Sequence, residues 1–194
     1  MKMDKWMKSG AAIAILMVVV AGCSGNEAAK TSAPVELIVT NSQTISQIDI
    51  APGATNCNQT IGTIEMKSIL KNPTQISDQR FNDVRVTSYR VSYVRTDGGK
   101  QVPTPFVRTI DTLITTGGTV TNLTNFLVLT SDALSQAPFA ALQTQNGGRD
   151  PETGRPFVNM DVTVDLFGET LAGEKVSGST RFPLDFCFNC GGCA

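Results

Sequence analysis

Histidine is absent from all 194 residues. Its absence removes the usual general base for a serine or cysteine nucleophile and the commonest nitrogen ligand for a metal. Neither C-x-x-C stretch near the C-terminus is followed by His, so c-type haem attachment in its usual form is excluded. The chain has no G-x-S-x-G, no glycine-rich phosphate loop leading into a helix and no D-x-D-x-D-G ladder of calcium ligands. Lysine and glutamate are sparse, no block of like charge occurs, and the formal net charge is −1. The electrostatic footprint of a nucleic-acid binder is missing, so no nucleic-acid partner is expected. These absences together predict a protein that is not an enzyme and carries no cofactor.

What is present begins with an address. Lys2, Lys5 and Lys8 precede an unbroken run of apolar and small residues from Ala11 to Ala21, too short for a comfortable transmembrane helix and typical of a signal-peptide core. The run closes on Val20-Ala21-Gly22-Cys23, which resembles the lipobox of bacterial lipoproteins. The resemblance implies that residues 1–22 are a lipoprotein signal peptide removed on maturation, and that Cys23 becomes the acylated first residue. It also implies attachment to the cell envelope through lipid. Ser24 stands where an Asp favours retention at the inner membrane, so the resemblance points to the outer membrane, on its periplasmic face or at the cell surface. Residues 23–34 are small and polar and read as a lipid-bearing tether to a single domain over 35–194.

Loss of residues 1–22 takes away three lysines, one aspartate and Trp6, the sole tryptophan, and leaves 13 basic and 16 acidic side chains. About 160 residues then remain, enough for one well-buried domain. Thr, Val, Ser, Asn and Gly are plentiful, the composition of an exported all-β protein.

The apolar period is two almost everywhere. Val158, Met160, Val162, Val164 and Leu166 alternate with Asn159, Asp161, Thr163 and Asp165, the signature of a half-buried strand. A turn near Ala172-Gly173 leads into a last strand with Phe182, Leu184 and Phe186 inward. Pro183 in that strand predicts an edge or a bulge. Asp97-Gly98-Gly99 marks a hairpin. In the strand before it Tyr89, Val91 and Tyr93 share a face, with Arg85 and Arg95 placed on the same register. Further strands are expected at 60–70, 119–130 and, one or two, within 35–50. Residues 131–142, broken by Pro138, hold a turn or two of helix at most, and 145–156 reads as a long exposed loop.

Seven or eight strands with hairpins and no convincing helix predict an all-β, antiparallel β-sandwich. The order resembles immunoglobulin and fibronectin type III modules, with strand B at 60–70, C at 84–96, C′ at 101–115, E at 119–130, F at 157–167 and G at 175–186. The buried Trp and the B-to-F cysteine pair of antibody domains are both absent.

Beyond Cys23 four cysteines remain, Cys57, Cys187, Cys190 and Cys193. An even number in an exported chain favours disulfides. In the sandwich topology the start of strand B and the end of strand G share one end, which brings Cys57 near the C-terminal trio. Of the three possible pairings, each ties Cys57 to one of the trio and lets the other two bridge each other. Closing so long a loop contributes on the order of 4–5 kcal/mol in the chain-entropy account. The same four thiolates could instead ligate zinc or an iron–sulfur cluster, or serve as a redox centre. The oxidising compartment and a C-x-x-C that trails a strand speak against those readings.

Asp161, Asp165, Glu169 and Glu174 read as a solvated sheet face rather than acid–base groups. Asp150 and Glu152 are a weak candidate for calcium. Tyr89 and Tyr93 read as core. The expected function is a lipid-anchored, non-enzymatic binding, adhesion or assembly module, with an envelope protein or surface ligand as partner. The alternative is a cysteine-ligated metal or redox lipoprotein.

Overall fold

In a computed structural model of the chain, the described residues are 32–42, 46–51, 59–74 and 79–191. The predicted signal peptide, residues 23–31 of the tether, and Cys23, Cys57 and Cys193 lie outside them. Eight strands are described: β1 (Val35–Asn41), β2 (Gln47–Asp49), β3 (Thr60–Leu70), β4 (Val84–Arg95), β5 (Phe106–Ile114), β6 (Thr121–Leu127), β7 (Phe157–Thr170) and β8 (Lys175–Cys187). They form a three-stranded sheet, β1-β3-β6, and a five-stranded sheet, β2-β8-β7-β4-β5. Strands B and E thus share one sheet and C, C′, F and G the other, the order expected of an immunoglobulin-type sandwich. Strand D has no counterpart among the described residues, because residues 115–120 alone connect β5 to β6.

All pairings between strands are antiparallel except β2 with β8, which run parallel. The predicted strand region 35–50 divides here. Its first half pairs with β3, and its second half crosses to the other sheet beside β8. Both run in the direction of β8, so a parallel ladder is the only one available to β2. The crossing brings β1 close against β8 at Gly178, where an added Cβ would collide with the Leu37 carbonyl oxygen. A glycine is required there by space.

The core lies between the sheets. Val158, Met160, Val162, Val164 and Leu166 of β7 are buried, as their alternation predicts. They meet Leu37, Ile64 and Met66 from the opposite sheet within one apolar cluster. Tyr89 and Phe126 pack with ring centroids 4.3 Å apart. Tyr93 donates its hydroxyl hydrogen bond to the Val128 carbonyl at 2.6 Å, so the buried ring keeps a satisfied polar tip. The predicted short helical stretch is a 3-10 turn, Ser131–Ser135, and one turn of helix, α1 (Phe139–Leu142). Its Phe139 is buried against Phe186, with centroids 5.0 Å apart.

Two expectations need correction. Arg85 does not share a face with Tyr89: the registers of β4 with both β5 and β7 shift between Val86 and Ser88. This bulge at Thr87 moves the inward positions from Val84 and Val86 to Tyr89, Val91 and Tyr93, leaving Arg85 outside. Gly168 on β7 makes room for it, since a Cβ there would strike the Arg85 carbonyl and the Val86 Cα. The strand expected from residue 101 begins instead at Phe106. Pro103 and Pro105 have no N–H to give a ladder. Pro183 behaves as predicted: it pairs with Asp161 on β7, and β2 flanks β8 only from Asp185 onward.

Candidate functional site

β4, β8 and β2 end, and β7 begins, at one rim of the sandwich: Cys187 is opposite Phe157 and Asp49, and Arg95 is opposite Met160. The hairpin at 97–99 and the loop at 148–156 therefore lie at the same rim as the C-terminal cysteines. The polypeptide enters the sandwich at the other rim, where Lys71 N–H donates to the Pro34 carbonyl at 2.8 Å.

Cys187 and Cys190 form a disulfide, with Cα atoms 6.0 Å apart. Cys187 is buried and Cys190 exposed. This bridge joins two of the C-terminal trio and leaves Cys57 and Cys193, both outside the described residues. Two sulfurs bonded to each other offer no thiolate to a metal. The turn carrying the bridge is held by Asp49, which is buried on β2. One of its carboxylate oxygens accepts from the backbone N–H of Ala51 at 3.0 Å and of Asn189 at 3.0 Å. The other accepts from Cys190 at 2.9 Å and Gly191 at 3.2 Å. Asn189 and Gly191 adopt the left-handed conformation the turn requires, at φ 54° and 94°. Ile50 N–H donates to the Cys187 carbonyl at 2.8 Å, so β2 and the disulfide turn form one unit.

The second feature of the rim is a buried ionic cluster. The Arg95 side chain is 2% exposed and those of Asp97 and Asp150 are fully buried. Arg95 grips Asp97 in a two-pronged pairing, Nε to Oδ1 at 2.7 Å and Nη2 to Oδ2 at 2.9 Å. Its Nη2 also reaches Asp150 Oδ2 at 2.8 Å, and Nη1 donates to the Gln101 carbonyl at 3.2 Å. Asp97 further accepts from the N–H of Gly99 and of Asn159, each at 3.1 Å. Thr153 donates to Asp150 through its hydroxyl at 2.7 Å and its N–H at 3.0 Å. Glu152 completes the arrangement by accepting from the N–H of Lys100 at 2.7 Å and Gln101 at 2.9 Å. One guanidinium thus pins the hairpin loop to the 148–156 loop, and Asp97 ties both to the start of β7.

Burial works against ionisation of these groups, and hydrogen bonding outweighs it. Burial disfavours the Arg95 charge, but Asp97 and Asp150 more than compensate and its pKa rises. Burial likewise opposes the charge on Asp97 and Asp150, yet Arg95, with Asn159 and Gly99 for the first and Thr153 for the second, pulls both below the usual carboxylate range. Glu152 is lowered chiefly by the N–H groups of Gln101 and Lys100. Asp150 Oδ1 is buried without a hydrogen-bond partner.

Asp150 and Glu152, the weak calcium candidates, are engaged in this way by Arg95, Thr153 and backbone N–H groups. The sequence signal for the cluster is an arginine at an inward-facing position after Tyr89, Val91 and Tyr93, which requires a buried carboxylate. Asp49 carries a similar signal as an acid between Ile48 and Ile50. On the outer sheet face the carboxylates are also paired, Asp161 with Arg181, Asp165 with Arg90 and Ser179, and Glu169 with Lys175.

A recess of about 310 Å³ adjoins the disulfide, walled by Pro156, Phe157 and Phe188, with Gln47 and Asp185 as polar groups and Cys187 and Cys190 at its side. Asn159 donates its side-chain amide to Asp185. This is a surface suited to receiving an apolar group, and none of its lining side chains is a nucleophile paired with a base. No protein-family model, no curated protein and no solved structure matches this chain, so its function is argued from the geometry alone.

Proposed function

We propose that this protein is a lipid-anchored, non-enzymatic binding or assembly module of the bacterial cell envelope, and that its contact surface is the disulfide-bearing rim. The observation that carries the reading is the way this rim is built. Three segments distant in sequence, 97–101, 148–156 and 187–191, are held there by one buried guanidinium, one buried carboxylate and a disulfide. Loops fixed in advance lose little entropy on binding, which favours recognition over catalysis by motion. The polypeptide enters at the opposite rim, so an anchor at Cys23 would leave this surface facing outward. Cys57 and Cys193 form the second disulfide in this reading.

Photoreactive residues placed at Val102, Glu152 and Phe188, and at Ser92 and Thr163 on the outer sheet face, test it in intact cells. A discrete adduct from the rim positions alone is the expected result. Adducts from the sheet face with none from the rim would overturn it.

A redox role is the second reading, favoured by one observation: Cys190 is the exposed residue of a C-x-x-C bridge beside a recess. Ready reduction of that bridge by a small dithiol in the folded protein would support it, and resistance until unfolding would not.

A further inference from the structure

The chain-entry end of the sandwich carries a different kind of surface. Phe81, on the turn before β4, is 62% exposed, and Leu171, on the turn between β7 and β8, is 52% exposed. Their backbones are joined: Ala172 N–H donates to the Phe81 carbonyl at 3.1 Å, and Leu171 N–H to the Asp83 carbonyl at 2.9 Å. Leu113 near the end of β5 and Val120 on the β5–β6 turn are exposed as well. The same rim holds the point of entry. The Asn82 carbonyl accepts from the Thr116 hydroxyl at 2.6 Å, which contacts the Ser68 hydroxyl at 2.8 Å. Ser68 is paired with Leu37 on β1, two residues from Val35, and Lys71 donates to Pro34. Exposed Lys71, at the point of entry, and exposed Arg80, next to Phe81 in the chain, belong to the same rim, as does the half-buried Glu174 on the β7–β8 turn.

We propose that this rim rests on a lipid bilayer, with the Phe81 and Leu171 side chains seated at the boundary between headgroups and acyl chains. The inference depends on the lipid-anchor reading. Residues 24–34 separate Cys23 from Val35, and a chain of eleven residues spans at most about 40 Å. An acylated Cys23 therefore confines this end of the domain to the neighbourhood of the membrane. Large apolar side chains at turn tips beside basic residues are what an interfacial surface presents.

The test uses single tryptophans, because removal of residues 1–22 takes away Trp6 and leaves none. Phe81→Trp, Leu171→Trp and, at the far rim, Val102→Trp are purified from membranes as lipidated protein. Each is reconstituted into phosphatidylethanolamine–phosphatidylglycerol vesicles with brominated acyl chains. The expected result is loss of most emission from the first two variants and none from the third. Two independent rim positions guard against one variant misfolding, which circular dichroism would reveal. Vesicle-bound protein with no quenching at either position would overturn the proposed surface and leave the anchor intact. Equal quenching at Val102→Trp would overturn the orientation. Protein that fails to float with vesicles and lacks acyl mass would overturn the anchor reading itself, and the bilayer contact with it.

Discussion

Arg95 shows how one side chain organises a rim. Its guanidinium is charged at any accessible pH, so burying it demands charged partners, and Asp97 and Asp150 supply them. The pair is not itself a large source of stability, but breaking it is costly because a lone buried charge remains. Arg95→Met should therefore destabilise the domain by about 3–5 kcal/mol in urea unfolding, since it strands two buried carboxylates. Asp97→Asn should cost less, because Asp150 still faces the guanidinium. The lowered carboxyl pKa values also fix the sign of the pH dependence. Unfolded Asp97 and Asp150 take up protons near the ordinary value of 3.8, before the folded ones do. Their stabilisation is full at neutral pH, begins to fall as pH approaches 3.8 and is lost as pH drops through the lower folded values. Denaturation midpoints measured from pH 7 down to 3 should trace that loss, and the Asp97→Asn variant should show a shallower one.

At the scale of elements, two glycines mark where the sheets are forced together. Gly178 admits β1 against β8, and Gly168 admits the bulge of β4 against β7. Gly168→Val and Gly178→Val should each cost at least about 1–3 kcal/mol, from overpacking against backbone. Thr163→Val, on the outer face of β7, should stay within about 0.5 kcal/mol, and thermal melts of the three variants check the difference. Strand positions were legible in the sequence because period-two alternation reports burial on one face directly, as in β7. The bulge at Thr87 was not, because it needs no glycine or proline in β4 itself, and its enabling residue lies on another strand. The buried cluster at the rim was half legible. An inward arginine was visible at position 95, but its partners come from two loops, and loop residues carry no periodicity that says which way they point. The Asp49 contacts with the disulfide turn join residues about 140 positions apart through backbone N–H groups, which have no sequence signature.

The whole molecule is polar in the sense of having two unlike ends. The entry rim carries exposed apolar tips, and the opposite rim carries buried charge, fixed loops and a disulfide. In the proposed account the first faces the membrane and the second faces a partner. The proposed Cys57–Cys193 bridge would close a long loop between the chain that follows β2 and the chain that follows β8, and so keep the partly unflanked β8 from fraying at Pro183. The most direct test of this account is the intact mass of protein extracted from membranes without reductant, before and after alkylation, with metal content measured in parallel. The account predicts a chain that begins at an acylated Cys23, takes up no alkylating agent, holds no metal, and gains two hydrogens for each of two bridges on reduction. An unacylated chain would contradict the anchor. Titratable thiols at Cys57, Cys187, Cys190 and Cys193 with stoichiometric zinc or iron would contradict the stapled rim and make the cysteines a metal site.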